Sequence, residues 1–228
     1  MEAERIADNL RRIEERLAGA CERVARERES VTLVAVTKTV EVDEVRVLHR
    51  LGVRDFGENR VAELVRKAAA LADLAPTFHM IGHLQRNKVR DLLPHSHIIH
   101  SVESHKLTGV LSRRADEAGL DVDVLIEVNV AGEEQKYGVA PDAAAALAEK
   151  VVALPRLRLR GLMTMCPVVR NPGHCRGWFA RLRELADELS RDLPVGSMTD
   201  LSMGMTQDYE VAVEEGATMV RIGSALFA

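Results

Sequence analysis

A chain of 228 residues, 46% hydrophobic and 29% charged, can bury a substantial core as one large domain or two small ones. Its 31 Lys and Arg against 35 Asp and Glu leave a formal charge of −4, and only 3% of residues are aromatic. Neither nucleic acid nor anionic membrane is therefore an expected partner, and no apolar run reaches the roughly 18 residues of a membrane span.

The first segment, MEAERIADNLRRIEERL, is charged and lacks the apolar centre of a signal peptide. Its apolar residues Ile6, Leu10, Ile13, Leu17, Cys21 and Val24 recur at steps of three and four, which predicts an amphipathic helix. Next comes a β-branched run, Val31 to Val36, that reads as a strand buried on both faces. A helical pattern over Glu41–Leu51 stops at Gly52.

The alternation then repeats. Strands are predicted near Val53–Phe56, Thr77–Ile81, His97–Val102, Val122–Val130, Leu157–Met163, Met198–Ser202 and Thr218–Ile222. Between them lie amphipathic stretches at Val61–Leu74, Gln85–Leu93, Lys106–Ala118, Asp142–Leu154, Arg176–Leu189 and Gln207–Glu215. Strict βα alternation over eight strands predicts a closed (β/α)8 barrel of the TIM type rather than an open sheet. One domain over residues 1–228 is expected, with an N-terminal helix over 1–29 and the barrel over 31–227. No eighth outer helix follows the last strand, and the N-terminal helix is available to cover that gap. The stretch from Cys166 to Gly177, with two prolines and two glycines, should be the least regular.

In such a barrel, chemistry collects where strands end. Lys38 closes the first strand, and Gly57-Glu58-Asn59 follow the second. His79, Gly82 and His83 stand at or beyond the third; Asn129 ends the fifth; Met163 to Met165 end the sixth. Ser202-Met203-Gly204 follow the seventh strand and Arg221-Ile222-Gly223-Ser224 the eighth. Glycine-freed N–H groups beside a hydroxyl make an anion nest, so these last two loops suit a phosphorylated small molecule. Lys38 is expected to be partly desolvated in the barrel mouth, which favours a neutral, nucleophilic amine. The plainer alternative is a lysine that reaches solvent or pairs with Glu58. A lysine with a phosphate nest meets the two requirements of pyridoxal 5′-phosphate (PLP): an imine partner and an anion cradle.

The segments VAVTK, FGENRVAEL, FHMIGHLQRNK, LRGLMTM and LSMGMTQDYEVAVEEGATMVRIGSALF, in this order, resemble the pyridoxal phosphate homeostasis proteins. These look like the barrel domain of alanine racemase standing alone, and the resemblance runs from about Leu10 to Phe227. It implies a modified (β/α)8 barrel in which Lys38 holds PLP as a Schiff base. By the same resemblance, Ser202 and the backbone around Gly204, Gly223 and Ser224 hold the phosphate. Asn59 contacts the cofactor, His83 and Met163 line the mouth, and Met203 touches the cofactor. Arg221 faces the pyridine nitrogen, which disfavours a protonated ring and weakens the electron sink. The racemases draw a tyrosine base from a further β-domain that this chain lacks, so binding and handling of PLP in vitamin B6 homeostasis is expected, with no catalytic residues. The alternative is a PLP-dependent amino-acid racemase or related enzyme acting as a monomer. A phosphometabolite enzyme without PLP is a third class.

Three departures from the family pattern stand out. Thr39-Val40 replaces a second Lys-Pro step, Gly204-Met205-Thr206-Gln207 replaces Gly-Met-Ser-Asp, and the usual short tail is absent. Lys136, in a segment the family shares, is a candidate transient cofactor site or an ordinary surface lysine.

Other groupings have simpler readings. His79, His83, His95, His97 and His100 crowd one region, but His97 and His100 should face opposite ways and no metal-ligand spacing is present. Cys166, His174 and Cys175 share one loop at irregular spacing, and surface loop residues are the simpler account, so no metal is expected. Three cysteines form no disulfide framework, which points to a reducing cytosol. Core packing explains most of the methionines. The alternating Arg156, Arg158 and Arg160 suit a solvated rim. PLP, transient contacts with PLP-dependent apo-enzymes, and a monomeric state are the expected partnerships.

Overall fold

Eight short runs, most of them rich in apolar residues, form eight parallel strands, because each run is followed by enough chain to return to the same edge. The computed structural model describes residues 2–133 and 135–228. In chain order its elements are α1 (Glu2–Arg23), β1 (Thr32–Val36), α2 (Val42–Arg50), β2 (Asp55–Glu58), α3 (Val61–Ala70) and β3 (Thr77–Met80). They continue with α4 (Val89–Leu92), β4 (Ile98–Val102), α5 (His105–Ala118), β5 (Val122–Glu127), α6 (Ala144–Val152) and β6 (Leu157–Met163). The chain closes with α7 (Arg176–Leu189), β7 (Asp200–Met205), α8 (Tyr209–Glu214), β8 (Met219–Ile222) and the single turn α9 (Ser224–Phe227).

The strands pair in sequence order, and β8 returns to β1 to close the barrel. Outward residues such as Leu33, Phe56, Phe78 and Ile99 pack beneath the helices into the main hydrophobic core. The Phe56 and Phe78 rings meet at 6.2 Å. Each fully buried aliphatic side chain there contributes roughly 1.5–3 kcal/mol. No described helix is long and apolar enough to cross a membrane.

Helix α1 takes the eighth position of the outer ring. Its stripe Ile6, Leu10, Ile13, Leu17, Ala20 and Cys21 is buried. Asn9 Nδ2 donates to the carbonyls of Leu226 (3.1 Å) and Ala228 (3.0 Å). Arg16 and Arg23 reach across to Glu210 and Glu214 on α8.

Several boundaries depart from the sequence-based expectation. Strand β2 runs from Asp55 to Glu58, which places Gly57 and Glu58 inside the strand rather than after it. The stretch after β3 is a 3-10 turn at Arg86–Lys88 leading into one turn of α4, rather than one amphipathic helix over Gln85–Leu93. Strand β5 ends at Glu127, so Asn129 lies two residues past it, in a turn where its side chain bonds Glu133. Strand β7 runs on to Met205, which places Ser202, Met203 and Gly204 inside the strand rather than after it. A register shift between Ser202 and Met205 and a φ of +92° at Gly204 give this stretch the sequence look of a loop. At the opposite rim, Leu157 and Leu159 are buried while Arg156, Arg158 and Arg160 pair with Asp116, Asp121, Asp123 and Asp200.

Candidate functional site

Strand register assembles the site. Val36 pairs with Gly57 and Ala35 with Ile222, so β1, β2 and β8 end side by side. Lys38, Asn59 and Gly223–Ser224 therefore leave three adjacent strands at one rim. Lys38 is exposed, and no described residue bonds or pairs with it. The expected desolvation is not realised: β1 stops at Val36, Thr37 is buried, and the chain turns outward at Lys38.

Glu58 does not pair with Lys38 either. Its carboxylate is buried and accepts from Lys67 Nζ and Thr37 Oγ1, both at 2.6 Å. Lys67 also donates to the Thr37 carbonyl at 2.6 Å. This ion pair, with side chains 1% and 0% exposed, fixes the residue that precedes Lys38.

Asn59 is half-buried, and its backbone presses on Gly82: a Cβ there would stand 2.4 Å from the Asn59 carbonyl oxygen. Only glycine lets the loops after β2 and β3 come this close. His83 is exposed beyond that contact; its Nδ1 lies 2.9 Å from Glu103 and its ring stacks on Tyr137 at 4.3 Å.

Inside the barrel a polar chain crosses between strands. Arg221 donates to Ser202 Oγ at 2.6 Å and to the Thr164 carbonyl at 2.8 Å. Ser202 Oγ lies 2.8 Å from His100 Nδ1, His100 Nε2 lies 2.9 Å from His79 Nδ1, and His79 Nε2 lies 3.0 Å from Asp55. One assignment satisfies every ring nitrogen. Ser202 accepts from Arg221 and donates to His100, His100 donates to His79, and His79 donates to Asp55. Burial, with His79 and Arg221 adding to it, holds His100 well below the ordinary histidine range, so it is neutral. Burial brings Arg221 down to about 10, opposed by Glu127, Asp208 and Cys166, so at neutral pH it keeps its charge. Glu127 is pushed up to about 7 by burial and by Glu103, against the pull of Arg221.

The residues expected to bind separate into three sets. Lys38, Asn59, His83, Gly223 and Ser224 stand at the rim. Met163, Ser202 and Arg221 are buried, with Met163 between Glu127 and Ser202 in the strand register. Met203 and Gly204 lie elsewhere. Met203 is on the face opposite Ser202, in the outer core, and a Cβ on Gly204 would stand 2.6 Å from Ala212 Cβ, so this glycine serves the packing of α8. Ser224 is exposed at the start of α9, and its hydroxyl lies 3.3 Å from that of Thr206 beyond β7. The first N–H groups of such a turn lack intrahelical partners. Lys67, Asp55, His100, Glu127 and Thr206 were not expected. Lys67 carried a signal, since it falls on the stripe of Val61, Leu64 and Leu71.

The alanine racemase N-terminal domain family matches residues 2–228. A pyridoxal phosphate homeostasis protein of Aquifex aeolicus is 44% identical over 96% of each chain. A protein of Bifidobacterium adolescentis superposes with a TM-score of 0.92 at 39% identity, covering 99% of this chain and 96% of that one. PipY of Synechococcus elongatus, solved with PLP bound, superposes with a TM-score of 0.85 at 34% identity, covering 98% of this chain and 100% of that one. With its rim lysine, hydroxyl pair and buried arginine set in this barrel, the chain belongs to the alanine racemase N-terminal domain family, among the pyridoxal phosphate homeostasis proteins.

Proposed function

We propose that this protein binds PLP at the rim of the barrel and holds it for the cell's vitamin B6 economy, without turnover of its own. The observation that carries this reading is Lys38 just beyond β1, exposed and without a partner among the described residues, at the same rim as the Ser224–Thr206 hydroxyl pair, across the β1–β8 pairing that closes the barrel. The names of the relatives and the PLP bound to PipY support it. The residues fit the group: an amine at one side, hydroxyl and backbone donors at the other, and a buried cation between.

Bound PLP supplies an aldehyde open to a primary amine and a ring able to draw electrons. Lys38 supplies that amine, and its exposure leaves it reachable. Ser224, Thr206 and the first N–H groups of α9 hold the phosphate. Arg221, pinned by Ser202 and Thr164, offers only N–H donors, so a ring nitrogen facing it stays unprotonated. That weakens the electron sink and opposes transaminase-like chemistry. The reading extends to a cytosolic monomer that passes PLP to apo-enzymes through transient contacts.

Reconstituted protein should be yellow, and borohydride reduction with peptide mapping should place the pyridoxyl group on the Lys38 peptide. Lys38→Ala should be colourless, with apo stability unchanged within about 0.5 kcal/mol, as for other exposed positions. A K38A protein that keeps both colour and adduct would overturn the assignment. Deuterium entering the α-carbon of an amino acid at a useful rate would overturn the absence of turnover.

A further inference from the structure

Loops from two neighbouring βα units bring two thiols and a carboxylate to one point beyond β6 and β7. Cys166 lies beyond β6, Cys175 closes the 3-10 turn Pro172–Cys175 that opens α7, and Asp208 immediately precedes α8. All three are buried, and their ligand atoms lie within 4.8 Å of one another. His174, expected beside them from the sequence, is exposed and outside the cluster, and Asp208 stands where it would have served.

We propose that Cys166, Cys175 and Asp208 form a site for a thiophilic divalent cation such as Zn2+. The spacing suits it. Tetrahedral zinc with sulfur at about 2.3 Å and oxygen at about 2.0–2.2 Å sets an S···O edge of roughly 3.5 Å. Cys175 Sγ lies 3.5 Å from Asp208 Oδ2. The other oxygen of that carboxylate, Oδ1, accepts from the Met205 N–H at 2.6 Å, which aims Oδ2 at the thiols as an outer partner aims a metal ligand.

The charges of the occupied site also balance. Two thiolates and a carboxylate carry −3, which the metal cuts to −1. The Lys136 ammonium lies near enough to act on both sulfurs. Its Nζ is buried without an aligned hydrogen bond, although a Glu133 oxygen lies 3.0 Å away. A metal binds thiolates, so each ion taken up by the two thiols forms two metal–sulfur bonds and displaces two protons to solvent. Three protein ligands leave a fourth position for water or an added ligand. The occupied site would tie the loop after β6 to the turn after β7, the turn that carries Thr206.

The test titrates Co2+ into the reduced, chelator-treated full chain without PLP. The expected result is one ion per chain, a thiolate-to-metal charge-transfer band, tetrahedral d–d bands, and displacement by Zn2+. Cys166→Ser and Cys175→Ser should each weaken binding more than roughly 100-fold, beyond the usual cost of losing an outer partner. Cys21→Ser, on α1, should change nothing. As a check independent of those titrations, Zn2+ should raise the melting temperature of the parent protein and leave that of the C166S/C175S double variant unmoved. A pale spectrum without the thiolate band would overturn the assignment, as would a spectrum that survives both serine substitutions. So would a dithiol that closes to a Cys166–Cys175 disulfide in air and takes no metal when reduced.

Discussion

Replacing Lys67 by methionine keeps most of the aliphatic length and removes the cation of a fully buried pair. Glu58 would then keep only Thr37 Oγ1 as a donor, its Oε2 having no partner to begin with. The Thr37 carbonyl would lose its Lys67 bond as well. An uncompensated buried charge of this kind costs about 3–5 kcal/mol. For a domain of this size each kcal/mol moves the melting temperature by about 2–4 °C, so a fall of roughly 6–20 °C is expected. Urea and thermal denaturation of the apo protein measure it. The double variant E58Q/K67M removes the stranded charge and should recover at least about half of the loss, since neighbouring sites couple by 0.5–3 kcal/mol. A K67M protein within about 1 kcal/mol of the parent, or a double variant that is simply additive, would refute the buried ion pair.

Other perturbations probe separate parts of the fold. Glu127, about 7 when folded against an ordinary 4.5, binds more proton folded than unfolded between those values. Its contribution is thus complete below pH 4.5 and is lost as pH rises to about 7, a change of roughly 3 kcal/mol at 1.36 kcal/mol per unit. E127Q should flatten that slope in urea melts, and an unchanged slope would reject the assignment. Ser202→Ala leaves Arg221 and His100 each short of a buried partner and should cost about 1–3 kcal/mol; a neutral result in urea melts would break the Arg221-to-Asp55 chain. Gly204→Ala combines a left-handed φ of +92° with a Cβ 2.9 Å from Tyr209 Cα. It should cost about 2–4 kcal/mol in thermal melts, and an unshifted melt would contradict the close packing of α8.

Periodicity carried most of the architecture. Steps of three and four on α1 and the β-branched run before Lys38 each have one dominant reading, and alternation over eight units leaves few topologies. The polar interior was harder to see. His79, His100, Ser202 and Arg221 come from four strands, and only the register of a closed barrel brings them together. Of the crowded histidines His79 and His100 do meet, but the second partner of His100 is a serine 102 residues away. Gly204 read as part of a phosphate loop because a bulged strand and a loop share the same glycine. At Lys38 the identity of the residue was legible but its exposure was not, since one turn of chain beyond β1 decides it.

Helix α1 and strand β1 complete the barrel only once β8 and α9 have been made. Asn9 binds a carbonyl 217 residues further along, and the free edge of β1 meets β8 alone. As the chain leaves the ribosome, β1 offers an open strand edge and α1 an uncovered apolar stripe until nearly everything else has emerged. Closure is therefore a late, non-local event, slow by the measure of contact order and exposed to aggregation while it waits. The same ring that gives Lys38 and Ser224 a shared rim makes that rim wait until β8 is in place.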